Sequence, residues 1–195
     1  MSFSPVELLF ATHNLHKVKE VASMVGSNIV IKSLVDFNYT AEIPETADTF
    51  EDNALQKVHF VHQLFGGNCF ADDSGLIVPA LGNRPGVLSA RYAGNNATYS
   101  DNVDKLLSEL KDSENRNAYF ITLIALIFNE KAYLFEGKIE GEIIKERRGI
   151  KGFGYDPVFI PNGYTHTFAE MTDVLKNSIS HRGIALRKMI DFLPR

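Results

Sequence analysis

The N-terminal part of the chain alternates strand and helix patterns, and this alternation restricts the fold more than any other feature. Val6–Thr12 is an apolar run without helical period. Apolar residues then recur at helical spacing from Val18 to Val25, and Gly26 is suited to end that helix. The β-branched residues of Ile29–Ser33 predict a second strand. A strand–helix–strand unit therefore opens the chain.

The next segment predicts a second helix followed by two short strands. A capping pattern that begins at Thr49 predicts a helix that ends at Gly66-Gly67. Cys69–Ala71 predicts a buried strand. Asp72-Asp73-Ser74-Gly75 then predicts a turn, with Leu76–Ala80 as the hairpin partner of that strand.

The second half of the chain predicts a helix, a hairpin and a final helix. Thr98 caps a helix that runs through Leu110, and Ala118–Phe128 with Ala132–Ile144 predicts a long antiparallel hairpin. The final helix follows Ser180-His181-Arg182. Because alternating strands and helices are followed by a hairpin, we expect an α/β fold whose central sheet is mixed and flanked by helices.

The composition excludes several classes of protein. The 195 residues suit a single domain that spans 1–195, or two small lobes around a shared core. Lys+Arg 20 against Asp+Glu 24 gives a net charge of −4, and the chain contains no basic block, which argues against a nucleic-acid partner. The one cysteine, Cys69, cannot form an intrachain disulfide and is expected to be a buried strand residue.

The apolar segments also bear on localisation. Met1 to Phe10 lacks the basic start and long apolar run of a signal peptide. The longest apolar stretch, around Ile121–Phe128, is too short to span a bilayer. We therefore expect a soluble cytoplasmic protein without a membrane partner.

The segment between the first strand and the first helix is a candidate phosphate site. A helix N-terminus offers backbone N–H groups and a dipole that favour an anion. The side chains there add hydrogen-bonding groups and, at Lys17, a full positive charge: Thr12, His13, Asn14, Leu15, His16 and Lys17. An ordinary capped helix start explains the same residues, and both interpretations stay open.

Acidic residues are concentrated around the second helix and after the buried strand. Carboxylates at a strand's end suit a hard cation such as Mg²⁺ and leave one group to accept a proton from water. Glu42, Glu45, Asp48, Glu51 and Asp52 lie before or at the second helix, and Asp72-Asp73 end the predicted buried strand. A purely structural interpretation is also open, because Asp-Ser-Gly is a common turn and acids stabilise a helix N-terminus.

Two further segments could contact a nucleotide, one at its base and one at an anion, and a core aromatic and a solvated basic turn explain the same residues. Phe153-Gly154-Tyr155-Asp156-Pro157 places an aromatic residue beside a glycine, where a base could stack on it. Lys176 through Arg182 concentrates three potential cations near a predicted helix start, where the dipole disfavours them unless an anion is bound. Taken together, the four segments contain the components of a Mg²⁺-dependent nucleotide enzyme.

The same segments resemble the inosine triphosphate pyrophosphatase family over nearly the whole chain. The motifs that carry the resemblance occur in order: Ala11-Thr12-His13-Asn14 through Lys17, Glu45-Thr46 with Thr49 to Ala54, Ala71 to Leu76, Pro85-Gly86 through Ser89 to Tyr92, Phe153 to Pro157, and Ser180-His181-Arg182. The resemblance implies an elongated fold of two lobes with the active cleft between them, and Mg²⁺-dependent hydrolysis of ITP, dITP and XTP to the monophosphate and pyrophosphate. It also implies a homodimer.

The resemblance also assigns roles to residues. The segment Thr12 to Lys17 would bind substrate, with Thr12, Asn14 and Lys17 at the phosphates. Glu45 and Asp73 would bind the metal, and Asp73 would also accept the proton. Ser74 would contact substrate, and the base and part of the triphosphate would be surrounded by Phe153, Gly154, Tyr155, Asp156, Lys176, His181 and Arg182.

Two positions depart from the family pattern, and two other functions compete. His13 stands where the family often has glycine, and Asp52 stands where it often has glutamate, so that Asp52 could shift a contact to Lys57. A broader phosphohydrolase that releases orthophosphate uses similar parts, and its products distinguish it. A nucleotide sensor without turnover is less consistent with the clustered acids, because a binder of a polyanion has little use for them.

Overall fold

The computed structural model describes residues 5–194. Residues 1–4, part of the stretch in which no signal peptide is predicted, lie outside the described residues. Within 5–194, seven strands form one sheet: β1 (Val6–Phe10), β2 (Ile29–Ser33), β3 (Cys69–Val78), β4 (Arg84–Pro85), β5 (Asn117–Phe128), β6 (Lys131–Ile143) and β7 (Phe159–Pro161).

The helices of the described chain are α1 (Leu15–Ala22), α2 (Phe50–Phe65), α3 (Tyr99–Glu109), α4 (Asp173–Ile179) and α5 (His181–Phe192). Short 3₁₀ segments cover Leu34–Phe37, Pro79–Leu81, Gly86–Arg91 and Asp156–Val158. None of these helices is long and apolar enough to cross a membrane.

The sheet is mixed, as the sequence predicts. Its strand order is β2-β1-β3-β5-β6-β7, with β4 paired to β3. β1 runs parallel to β2 and to β3, whereas β3–β4 and β6–β7 are antiparallel. A two-residue turn with positive φ at Asn129 and Glu130 joins β5 to its neighbour β6, which confirms the predicted hairpin.

The predicted turn at Asp72-Asp73-Ser74-Gly75 is wrong. These residues lie inside β3, which runs without interruption from Cys69 to Val78. Leu76–Ala80 is therefore not a hairpin partner, and the antiparallel partner of this part of β3 is β4, with Ile77 opposite Pro85. The strand can continue because both aspartates are buried against lysine side chains and do not need solvent.

Several helix boundaries also differ from the predictions. α1 ends at Ala22, before Gly26, because the Ser23 amide and hydroxyl already donate to carbonyls of its last turn. α4 is an additional helix, with Lys176 in its last turn. A helix dipole favours a cation in the last turn. The prediction that Lys176 lies near a helix start, where the dipole disfavours it, is therefore wrong. The final helix is confirmed and begins at His181.

The chain divides into two compact units, each with its own apolar core. Unit 1 consists of Met1–Asp73, Thr122–Gly137 and Gly183–Arg195, and unit 2 of Ser74–Ile121 and Lys138–Arg182. In unit 1, the Phe10 and Phe70 rings stack at 4.3 Å among residues of β5 and α5. In unit 2, Phe120, Phe159 and Phe168 pack together beneath α3 residues such as Leu106. Cys69 is buried, as predicted, and its burial raises the thiol pKa to about 12.

The core of unit 1 provides a stability test with a matched control. Leu126 on β5 is fully buried, whereas Leu134 on β6 is 39% exposed. We expect Leu126→Ala to lower the free energy of unfolding by about 2–5 kcal/mol, because it removes apolar contacts and leaves a cavity. Leu134→Ala should change it by about 0.5 kcal/mol or less. Denaturant unfolding of both variants measures this, and equal effects would contradict the assignment of this core.

Candidate active site

The loop after β1 runs alongside β3. Phe10 pairs with Phe70 in the parallel register of β1 and β3. Thr12 lies two residues after Phe10, and Asp72 lies two residues after Phe70. Thr12 is nearly buried, and its hydroxyl oxygen accepts a hydrogen bond from the Asn14 amide at 3.1 Å. The parallel pairing therefore brings the candidate phosphate segment and the first aspartate of β3 into one unit, on neighbouring strands.

Asn14 caps α1. Its side-chain oxygen accepts from the amides of His16 at 3.0 Å and Lys17 at 3.3 Å. The capped helix start that the sequence left open is thus present. Since those two amides are engaged by Asn14, the positive charge for an anion at this helix comes mainly from the Lys17 side chain and the dipole.

The other three residues of this segment are exposed. The His13 ring lies 3.1 Å from the Tyr39 carbonyl oxygen. His13 is not among the described residues with positive φ, so this position does not need the conformational freedom of glycine. Leu15 is 65% exposed and His16 is exposed as well. Their predicted substrate contacts remain predictions.

Five charged side chains of unit 1 are linked in a group that we call the charged cluster: Lys17, Glu45, Lys57, Asp72 and Asp73. Lys17 Nζ donates to Asp72 Oδ1 at 2.8 Å. Lys57 Nζ lies against Glu45 Oε1 and 3.5 Å from Asp73 Oδ1. Lys57 comes from the middle of α2, where it is buried among the apolar residues of that helix. One buried ammonium group therefore bridges the two carboxylates predicted to bind metal.

Asn53 holds the second oxygen of Asp73. Its Nδ2 donates to Asp73 Oδ2 at 3.2 Å, and its Oδ1 accepts from the Ala47 amide at 3.0 Å. Asn53 is only 2% exposed. Asp73 is consequently fixed through both carboxylate oxygens, one by an amide and one by an ammonium group, while β3 fixes its backbone.

The electrostatics of the charged cluster reflect burial opposed by neighbouring charges. Burial raises the pKa of the Asp73 carboxyl above its ordinary value, against the opposing effect of Lys57 and Lys17. Burial alone would lower the pKa of the Lys57 ammonium, but the carboxylates of Asp73, Glu45 and Asp72 outweigh it and raise that pKa. Lys57 therefore keeps its positive charge at neutral pH.

The charged cluster fits a hard divalent cation. When all five groups are ionised, two ammonium groups against three carboxylates leave one net negative charge. Glu45 and Asp73 converge on a cationic nitrogen, and carboxylate oxygens are the ligands that Mg²⁺ prefers. Within residues 5–194, no three His, Cys, Asp or Glu side chains share a candidate metal position. Mg²⁺ commonly takes one or two protein carboxylates and completes its shell with water and substrate phosphates, so Glu45 and Asp73 are sufficient in number for it.

Sequence reasoning missed the two α2 residues that organise the charged cluster. Asn53 lies in a motif to which the sequence assigns no role, and the sequence indicates Lys57 only as a contact of Asp52. Asp52 instead accepts from the Thr49 hydroxyl at 2.7 Å in the cap of α2. The available signal was the position of Lys57 between Ala54 and Val58, on the apolar face of an amphipathic helix.

The candidate base-binding residues form a second group, in unit 2. Asp156 Oδ2 accepts from Lys176 Nζ at 2.6 Å and from the Phe153 amide at 2.8 Å. Gly152 makes this arrangement possible, because a Cβ at this position would lie 1.9 Å from Asp156 Oδ2. The aromatic loop is thereby tied to the cation of α4.

Two cationic side chains lie close to the Phe153 ring. Lys176 Nζ lies 5.1 Å from the ring centroid and Arg182 Cζ lies 5.6 Å from it. Arg182 also donates to the Ser74 hydroxyl at 3.4 Å, and the His181 ring stacks on Phe120 at 4.6 Å. The structure thus brings an aromatic face and several nitrogen donors together in unit 2.

Hydrogen bonds of Tyr155 and Ser89 stabilise this group. Tyr155 is buried, and its hydroxyl donates to the Ser89 carbonyl at 2.9 Å. The Ser89 hydroxyl accepts from the Leu76 amide at 2.9 Å and donates to the Gly86 carbonyl at 2.6 Å. The hydrogen bond from Tyr155 to Ser89 joins the Phe153-to-Pro157 motif to the Pro85-to-Tyr92 motif, so the second motif stabilises the first.

A charged cluster in unit 1 and an aromatic, donor-rich group in unit 2 are the kinds of site that a nucleotide-processing class of protein uses. The chain belongs to the Ham1 family, whose model matches residues 8–192. This match confirms the resemblance inferred from the motifs.

Individual relatives agree with the family match. The dITP/XTP pyrophosphatase of Flavobacterium psychrophilum is 50% identical over 187 residues, covering 96% of this chain and 98% of that protein. That of Porphyromonas gingivalis is 50% identical over 188 residues, covering 96% and 97%. The Ham1 protein of Staphylococcus aureus has a similar structure, with a TM-score of 0.86 at 33% identity, covering 95% of this chain and 97% of that one.

The buried ammonium group of Lys57 should be a major contributor to stability. Lys57→Met keeps the apolar length of the side chain but leaves Asp73 buried without its bridging cation. We expect the free energy of unfolding to fall by about 3 kcal/mol, as when one partner of a buried ion pair is removed. Denaturant unfolding at pH 7 gives the value.

Lys32→Met is the matched control in the same unit. Lys32 forms an exposed pair with Glu7 at 2.8 Å. Its replacement should change the free energy of unfolding by about 1 kcal/mol or less. Similar losses in the two variants would show that the Lys57 contacts do not differ energetically from a surface ion pair.

Proposed function

We propose that this protein hydrolyses non-standard purine nucleoside triphosphates, ITP, dITP and XTP, to the nucleoside monophosphate and pyrophosphate. The observation that carries the proposal is the charged cluster, in which fixed carboxylates and lysines are combined with one net negative charge. The near full-length similarity to dITP/XTP pyrophosphatases supports the same conclusion.

The charged cluster acts on the triphosphate. Lys17, with Thr12 and Asn14, binds phosphate oxygens, and Asp72 orients the Lys17 ammonium through their 2.8 Å contact. Glu45 and Asp73 would hold Mg²⁺, which would supply neutralisation of phosphate charge and polarisation of the phosphoryl group.

Asp73 is the proton acceptor. A water oxygen forms a bond to phosphorus, the anhydride P–O bond breaks, and pyrophosphate leaves, while the water proton passes to an Asp73 carboxylate oxygen. The contacts from Asn53 and Lys57 hold that carboxylate in one orientation before substrate arrives.

The group in unit 2 selects the base. Hypoxanthine and xanthine carry a 6-keto acceptor, and nitrogen donors from Lys176, His181 or Arg182 are suited to it. Adenine carries an amino donor at the same position and would leave those donors unsatisfied. Stacking on Phe153 is similar for every purine, so it contributes affinity rather than selectivity. Ser74, which contacts Arg182, directly follows Asp73 in β3.

The protein is further proposed to be a cytoplasmic homodimer. The dimer is inferred from family resemblance, and closed two-fold dimers are the commonest soluble oligomers. Sedimentation at micromolar concentration should give a dimer, and a single 21.8 kDa species would contradict it.

A panel of triphosphates tests the proposed reaction and its selectivity. With Mg²⁺ present, we expect kcat/KM for ITP, dITP and XTP to exceed that for ATP by about 10²–10⁴-fold, because buried donors discriminate strongly against an unmatched group. GTP shares the keto group and should be rejected less strongly, and ribose and deoxyribose should differ little.

The products of the same panel are measured separately as pyrophosphate and orthophosphate. Pyrophosphate as the sole inorganic product agrees with the proposal, stepwise release of orthophosphate would indicate the broader phosphohydrolase, and binding without turnover would indicate a sensor. Activity with ATP within about tenfold of ITP, roughly 1.4 kcal/mol, would remove the donor-based selectivity.

Asp73→Asn tests the assigned proton acceptor. The variant keeps the shape of the side chain but removes its charge, so kcat should fall by about 10²-fold or more. Asp191→Asn, at an exposed position of α5 in the same unit, is the matched control and should retain wild-type kcat. If Asp73→Asn is folded by circular dichroism and kcat changes only severalfold, Asp73 is not the acceptor.

A further inference from the structure

Three consecutive residues of the segment that carries Glu45 are each held by a side chain of α2. Lys57 contacts Glu45, Gln56 contacts Thr46, and Asn53 contacts Ala47. Asn53, Gln56 and Lys57 are separated by three and four positions in α2, and residues at this spacing lie on one face of a helix. One face of α2 therefore binds the segment residue by residue.

The contact at Thr46 is reciprocal. Gln56 Oε1 accepts from the Thr46 backbone amide at 2.9 Å, and Gln56 Nε2 donates to Thr46 Oγ1 at 2.9 Å. Both the oxygen and the nitrogen of the Gln56 side-chain amide are therefore hydrogen-bonded to Thr46. This pair fixes the backbone immediately after Glu45 as well as a side chain.

No helix or strand holds the backbone of residues 42–47, which are all described. No regular ladder of backbone hydrogen bonds therefore positions these described residues. Glu45 is itself partly exposed, with 39% of its side chain accessible. The contacts from Lys57, Gln56 and Asn53 therefore contribute to its placement near Asp73.

We propose that Gln56 is a positioning residue for Glu45. The Gln56 amide fixes Thr46 through two hydrogen bonds. Because Thr46 follows Glu45 directly, this limits the positions that the Glu45 carboxylate can take beside the Lys57 ammonium and relative to Asp73. In the described chain the hydrogen bonds of Gln56 go to Thr46, so Gln56 acts through the backbone and not by touching substrate. The inference rests on the proposed function, in which Glu45 and Asp73 together hold Mg²⁺.

Gln56→Met removes both hydrogen bonds and keeps the length of the side chain. We expect the Mg²⁺ concentration for half-maximal ITP hydrolysis to rise about tenfold, the lower end of the loss when groups that support metal ligands are removed. The kcat at saturating Mg²⁺ should stay within about twofold of wild type, because Asp73 and its contacts are unchanged. Gln63→Met, at an exposed position of the same helix, is the matched control and should leave both values unchanged.

A second readout needs no metal and no turnover. In the metal-free protein, hydrogen exchange of the Thr46 amide should accelerate in Gln56→Met, while the Ala47 amide, held by Asn53, stays protected. Thr46→Val removes only the bond to the hydroxyl, so it should keep the Thr46 amide protected and raise the Mg²⁺ requirement less than Gln56→Met.

Wild-type Mg²⁺ requirement and wild-type exchange in Gln56→Met would overturn the inference, as would equal behaviour of Gln56→Met and Gln63→Met. A loss of kcat at saturating Mg²⁺ with no change in Mg²⁺ requirement would also overturn it. Absence of ITP hydrolysis by the wild-type protein would overturn the proposed function itself, and this is established before any variant is compared.

Discussion

The contact of the buried Lys57 ammonium with Glu45 and Asp73 is the interaction on which the rest of the proposed active site depends. Three carboxylates in close proximity repel one another, and burial adds a desolvation cost. Lys57 and Lys17 offset both effects. With these cations in place, β3 can carry two adjacent aspartates through its interior without turning toward solvent. The strand in turn fixes the direction of both carboxylates.

The charge balance of this cluster links structure to reaction. Two lysines against three ionised carboxylates leave the group negative, and under the proposed function a triphosphate therefore approaches it with a bridging cation. In unit 2 the balance is opposite, since Lys176 and Arg182 outnumber the carboxylate of Asp156 around the Phe153 ring. Donor-rich surroundings suit a keto-bearing base. Under the proposed function, the charge of the first group suits a metal-bound triphosphate and that of the second suits a purine base.

Much of this fold could be predicted from periodicity, and the errors have physical causes. The opening strand–helix–strand unit, the capped helices and the β5–β6 hairpin follow from local patterns, and the structure has them. The turn expected at Asp72 to Gly75 was wrong because local propensity does not include the distant lysines that make an aspartate pair compatible with a buried strand. Asn53, Gln56 and Lys57 act through contacts 10–20 residues away in sequence, which no short motif encodes.

The metal requirement of ITP hydrolysis tests the central claim most directly. Protein freed of divalent ions by EDTA and returned to metal-free buffer should show no hydrolysis, and added Mg²⁺ should restore it. The physical reason is that the negative charged cluster binds the triphosphate only through a bridging cation. Full hydrolysis in rigorously metal-free buffer would contradict the assignment of Glu45 and Asp73, and with it the account of this site.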